Sequence, residues 1–597
     1  MLDKLNFYKK NITMPIIRMN KKNRSLKDAP KSKKIGFFSG ITIAIGSSIG
    51  AGIFFKAQAV LQNSHYSLAF AIFSWLFAAF SVTSMALALV EISSGRNDNL
   101  SIIGWCQTFN NHYVYKTCKN FMVYIYVPLT YFFMPFFFLL SIQDGIRGFN
   151  ENYHGLNTKA DWAILMLVSV GISAYFIVVS GISSSAANFQ NLIISVVKFL
   201  PLLLAIILGF VIFNHNGSKP VNPKIGLGFQ NSATTDLATK YSFSNLSPGF
   251  GLFISVGGIY FAYDGFYYAA GIQTEMKKPQ KTPLAILIGL LFVTSVYLIM
   301  AIAMSLGSTD GSPFGFKAYF ARNDLLPLYA VFQITIGVGI LGIINGLSLW
   351  ANRFMEDLIK KFELPFSMKL INKISPNKVV VGMQYNLILA VPVVIIASLI
   401  GGLGYIDNSY SDADYGTGVG RIYSFSDLMA NWTSVIAFVY IVIAIMGGLA
   451  NRKTNKIKVN KSKIFVPSAV CAIFTMVVSV SLTFFQPMAD ALLLYNIPFN
   501  DQYKNVYISR ILLVLVLFVF LFIMFIPILI EDQLMIKRYG SVSKGELAKL
   551  RIKAEVKKTS FKQELLDYIE TLKTKDLNDD LKAALKEVNV EVDELII

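Results

Sequence analysis

The chain has 597 residues, 54% hydrophobic and 15% charged, with mean hydropathy +0.54 and net charge +19. A soluble protein of this length needs far more charge to cover its surface, which excludes a soluble enzyme, a disordered chain and a disulfide scaffold. The apolar excess comes in runs of about 20 residues, the length of a helix crossing a hydrocarbon core. These runs do not alternate apolar and polar as membrane β-strands do.

Residues 1–34 carry eleven Lys/Arg against Asp3 and Asp28. This stretch reads as a basic N-terminal tail. Twelve apolar blocks follow, predicted as an all-α membrane protein of twelve transmembrane helices. The first six are Ile35–Phe55, Ser67–Val90, Phe121–Ile142, Trp162–Val179, Leu192–Phe213 and Phe250–Ile272. The second six are Leu284–Leu306, Leu328–Trp350, Asn386–Leu403, Trp432–Leu449, Ile464–Phe485 and Ile511–Ile530. An even number puts both ends on one side. The loops after blocks two, four, six, eight and ten hold about eighteen Lys/Arg, more than the longer odd-numbered loops. Positive loops face the cytoplasm, so both termini are expected there, with the chain in the plasma membrane.

Block one contains Gly46-Ser47-Ser48-Ile49-Gly50-Ala51-Gly52-Ile53-Phe54. Each glycine weakens a helix by about 1 kcal/mol relative to alanine. In lipid an opened turn survives only where it lines a cavity or is buried in protein. The same residues also fit close packing of one helix on another. Block five carries Lys198, which either snorkels to the interface or supplies a fixed cation near the block-one turn. Block six holds Gly257-Gly258 and then Tyr260-Phe261-Ala262-Tyr263-Asp264-Gly265. Asp264 lies near the middle of its block and is too short to reach water, which marks a functional position. Glycine-interrupted helices at matching places in two halves point to an inverted-repeat transporter. The amide groups opening a half-helix attract a carboxylate, and freed carbonyls accept from an ammonium. Two such breaks side by side suit a zwitterion.

Cys106, Cys118 and Cys471 have no metal spacing. No nucleotide loop, metal cluster or triad occurs in the polar segments, so neither enzyme activity nor a metal or other cofactor is expected. No basic folded face calls for nucleic acid. Residues 531–597 form a charged tail with thirteen basic and fourteen acidic residues. Phe561-Lys-Gln-Glu-Leu-Leu-Asp-Tyr-Ile-Glu570 in that tail has helical apolar spacing.

Four motifs in register resemble the amino acid–polyamine–organocation (APC) superfamily of permeases, whose fold is LeuT-type. Gly46 to Phe54 resembles its first-helix signature. Gly181 to Gln190 with Val197-Lys198-Phe199-Leu200-Pro201 resembles its fifth helix. Phe261-Ala-Tyr-Asp-Gly265 and Thr274-Glu275 to Pro283 resemble its sixth helix and the loop beyond. Asn352-Arg353 with Leu364-Pro365 resembles the end of its eighth. The resemblance covers blocks one to eight. Arg96-Asn-Asp-Asn-Leu-Ser-Ile-Ile-Gly104 departs from the family, so no residue of block three is carried over. The resemblance implies a 5+5 inverted repeat with discontinuous helices one and six. Residues 35–213 would form the first repeat, 250–449 the second, and 464–530 two added helices. By the same resemblance Gly50, Ala51 and Gly52 lie where backbone amides hold a substrate carboxylate, with Ser47 and Ser48 lining the pocket. Carbonyls of Phe261, Ala262, Tyr263 and Asp264 would take the amino group. Phe261 would be an aromatic gate, and Lys198 would tie block five to the broken turn.

The expected function is amino acid transport by alternating access, sodium-independent, through proton symport or amino acid exchange. The expected partners are an amino acid, the lipid bilayer and protons. A polyamine or other organic cation is the alternative substrate, with Asp264 countering a second ammonium. A non-transporting amino acid sensor on a permease fold is the alternative of a different class, suggested by the long tail.

Overall fold

A computed structural model describes residues 36–49, 52–96, 100–215, 236–267, 276–278, 281–308, 310–375, 378–406, 410–572 and 578–589. The expected N-terminal tail lies outside them. Among the described residues the chain is helical, without strands. Nine helices among the described residues are long and apolar enough to cross a membrane. Shorter apolar helices, Phe37–Gly46, Phe199–His215 and Gly249–Tyr263, fall in blocks one, five and six.

Several helices outrun their predicted blocks. Block three lies within His112–Phe149, block eight within Leu326–Lys360, block ten within Val419–Thr454 and block twelve within Lys504–Tyr539. Hydropathy ends a block at the first charged residues, whereas a helix continues through them once other helices pair them. Thus Lys56, Glu91, Lys116 and Asp144, all read from sequence as loop residues, are buried within helices. The last apolar helix likewise runs on past Glu531 to Tyr539. Gly540 adopts φ +87°, a left-handed helix stop that favours glycine.

Local chemistry sets the irregular points. Pro248, Pro283 and Pro327 open helices, where a missing N–H costs nothing. Lys198 separates helix Ser184–Val197 from Phe199–His215, three residues before Pro201. Residues Met122–Tyr126 form a π-turn inside His112–Phe149, which rotates the side chains that follow.

Candidate substrate site

Block one is split. Helix Phe37–Ser48 ends at Ile49, which is extended (φ −78°, ψ 109°), and a second helix, Gly52–Asn63, begins three residues later. The block-six helix also ends inside its block. Helix Pro248–Tyr263 ends at Asp264 (ψ 135°), followed by Gly265 at φ +100°. A non-glycine residue rarely adopts that second angle.

The two breaks touch. A Cβ placed on Gly52 would lie 2.6 Å from the Ala262 Cα and 2.9 Å from its nitrogen. The N-terminal end of one half-helix therefore abuts the C-terminal end of another. The first turn of a helix offers N–H groups with no intrahelical acceptor, and the last turn offers carbonyls. Their opposite partial charges meet here. A Cβ placed on Gly46, by contrast, would meet nothing within 4 Å among the described residues.

Lys198 reaches the carbonyl side of the first break. Its Nζ donates to the Gly46 carbonyl at 2.9 Å and to the Ile49 carbonyl at 3.5 Å. Asp264 is met from two other helices. Tyr126 Oη donates to Asp264 Oδ2 at 2.7 Å and Ser434 Oγ at 3.2 Å. Asp264 Oδ1 is buried and has no hydrogen-bond partner among the described residues. The Phe261 ring packs edge-on to Phe133 at 5.7 Å and beside Phe137 at 5.8 Å.

Other expected site residues make further contacts. Tyr263 points away from the break, its hydroxyl 3.0 Å from Thr294 Oγ1 and its ring against Tyr297. The Ala262 carbonyl accepts from Tyr297 Oη at 2.9 Å, and the Phe261 carbonyl accepts from the Asp264 N–H at 3.3 Å. Both carbonyls thus already hold one bond. Gly50 and Ala51 lie outside the described residues, as do the side chains of Ser47 and Ser48.

Residues 35–520 match the amino acid permease family. The chain belongs to that family. It is a multi-pass membrane transporter of amino acids and not an enzyme. A Mycoplasma pneumoniae protein described as uncharacterized is 41% identical over 543 residues, covering 85% of this chain and 96% of its own length. The serine/threonine exchanger SteT of Bacillus subtilis is 25% identical, over 57% of this chain and 70% of its own. Among solved structures, MhsT in complex with L-phenylalanine aligns with a TM-score of 0.47 at 14% identity. That alignment covers 76% of this chain and 97% of MhsT.

The permease has further polar residues at the breaks that sequence reading missed. Lys56, 1% exposed, forms an ion pair with Asp427 of the Val419–Thr454 helix. Lys56 Nζ also donates to the Asp427 backbone carbonyl at 3.3 Å and lies 5.1 Å from the Phe261 ring centroid. This pair caps Phe261 on the Gly52–Asn63 side of the first break. Lys56 stands one turn beyond Gly52, and that spacing in a glycine-opened block was the available signal. Tyr126 and Ser434 gave none, because hydroxyl residues are common in apolar helices and only the fold aims these two at Asp264.

Proposed function

We propose that this permease moves amino acids across the plasma membrane by alternating access, with both termini in the cytoplasm. The reading rests on one observation: two helix breaks in contact at Gly52 and Ala262, with opposite helix poles facing each other. A zwitterion matches that charge pattern, its carboxylate at the Gly52 end and its ammonium toward the Phe261–Asp264 end. Asp264 Oδ1, which has no hydrogen-bond partner among the described residues, supports an ammonium there. Twelve spans in a 5+5 inverted repeat with two added helices fit the paired breaks.

Lys198 supports sodium-independent transport. An ammonium already occupies the carbonyls that an unwound turn would offer to a metal cation. Exchange or proton symport then remains as the coupling mode, and the name of the Bacillus subtilis relative favours exchange. Purified protein in liposomes loaded with one amino acid and challenged with a labelled panel tests the reading. Uptake or exchange that persists without sodium is expected. No flux of any amino acid would sink it.

A further inference from the structure

The family match ends at residue 520, but the chain continues into three helices beyond the last apolar one. Val542–Lys557, Phe561–Leu572 and Asp579–Glu587 share a small core of Leu550, Leu565, Ile569, Leu581 and Leu585. They form one module, not separate solvated helices. A charge cluster fastens the module to the membrane helices. Lys116 Nζ lies 3.1, 3.4 and 3.7 Å from carboxylates of Glu363, Glu531 and Glu546. Lys119 shares Glu363 at 3.0 Å, and Lys549 reaches Glu531 at 2.6 Å and Glu546 at 3.2 Å. Three ammoniums meet three carboxylates, so this part of the seam is balanced.

Beside it lies a cavity of about 520 Å³, within the usual range for small-molecule sites. One wall is the end of the block-eight helix, with Lys360, Lys361 and Phe362. The other is the module, with Lys553, Lys557 and Tyr568. Here cations exceed carboxylates. Glu363 and Glu546 also line the cavity but are committed to the cluster. Lys360 pairs with Asp357 at 3.1 Å. Lys553 and Lys557 both lean on Glu564, at 2.7 and 3.5 Å. Partial burial, together with the neighbouring Lys553 ammonium, holds the Lys557 ammonium below the usual lysine range. Burial is the larger cause, and Glu564 and Asp567 partly offset it. Lysines drawn from two walls around one cavity are suited to the several oxygens of a phosphate group. The Phe362 and Tyr568 side chains add aromatic surface.

We propose that the cavity is a regulatory site for a soluble phosphate-bearing anion of nucleotide size. Lys360 and Lys361 would hold it from the membrane body, and Lys553 and Lys557 from the module. A ligand touching both walls binds only the docked arrangement, so binding and docking stabilise each other.

The test uses full-length protein in a neutral detergent, with ATP and inorganic triphosphate as separate probes in calorimetry. Saturable binding of at least one probe is expected. It should weaken at least tenfold in K360A/K361A and equally in K553A/K557A, with probe-free amino acid uptake unchanged in both. If either alanine pair loses the module's protease resistance, the corresponding glutamine pair takes its place. No saturable binding, or weakening in neither pair or in only one, overturns the proposal. So does competition in nanodiscs, where anionic lipid abolishing triphosphate binding would give the cavity to a lipid headgroup.

Discussion

Gly52 and Ala262 meet backbone to backbone, and that contact joins the two broken helices of the permease. No side chain separates them, so the Gly52 end and the Phe261–Asp264 end lie within reach of one small solute. Whatever widens this contact changes both poles of the site together.

Gly52→Ala should therefore be severe. Its Cβ would sit 2.6 Å from Ala262 Cα, a backbone atom that cannot rotate away. Overpacking of this kind costs about 1–3 kcal/mol. We expect uptake reduced at least tenfold and a lower Tm in detergent. Wild-type uptake in this variant would show that the half-helices do not need to touch.

Lys56 and Asp427 should behave as a pair. Removing one partner of a buried ion pair costs about 3–5 kcal/mol. Asp427 is 22% exposed at its side chain, so we expect roughly 2 kcal/mol for Lys56→Met alone. Lys56→Met with Asp427→Leu should regain most of that loss. A thermal double-mutant cycle measures it, and additive losses would mean that the two side chains act independently.

Lys198→Met removes the ammonium from the Gly46 and Ile49 carbonyls. Those acceptors are then open to a monovalent cation. The expected outcome is slower transport with substrate affinity changed less than threefold, and a new sensitivity to sodium. Wild-type kinetics would mean that Lys198 only snorkels.

Tyr126→Phe deletes the 2.7 Å bond to Asp264 and leaves it to the Ser434 and Tyr267 hydroxyls. A hydrogen bond to a charged group is worth about 1.5–3 kcal/mol. At least a tenfold fall in kcat/KM for amino acid uptake is expected, with a modestly lower Tm. Unaltered kinetics would place Tyr126 outside the transport path.

Module docking should resist moderate acid. Burial alone would raise the Glu363 carboxyl, but Lys116 and Lys119 overcome it and hold the group well below the usual carboxylate range. A carboxyl depressed in the folded state stabilises fully above its unfolded pKa, about 4.3, and loses that contribution as pH falls through the folded value. Hydrogen exchange of residues 542–572 should stay protected from pH 8 down to about 5, with release only below about pH 4. Release near pH 6 would mean that another group controls docking.

Much of this was legible in the residues. Twelve apolar blocks predicted helices, and the glycines of Gly46–Phe54 and Phe261–Gly265 predicted where two of them open. Lys198 and Asp264 stood out because a charge in an apolar run needs a reason. Lys56 and Asp427 did not, because hydropathy assigns charged residues near block ends to loops. The two lie 371 positions apart in the chain.

That the chain is a membrane bundle, and where its backbone weakens, can be read along the chain, because hydrophobicity and helix propensity are local quantities. Which groups face one another was set by the packed fold. It turned Tyr263 toward Thr294, aimed Tyr126 at Asp264, and folded the C-terminal helices against Lys116. Such pairings depend on the rotation and depth of each helix, which the packing of all the others sets.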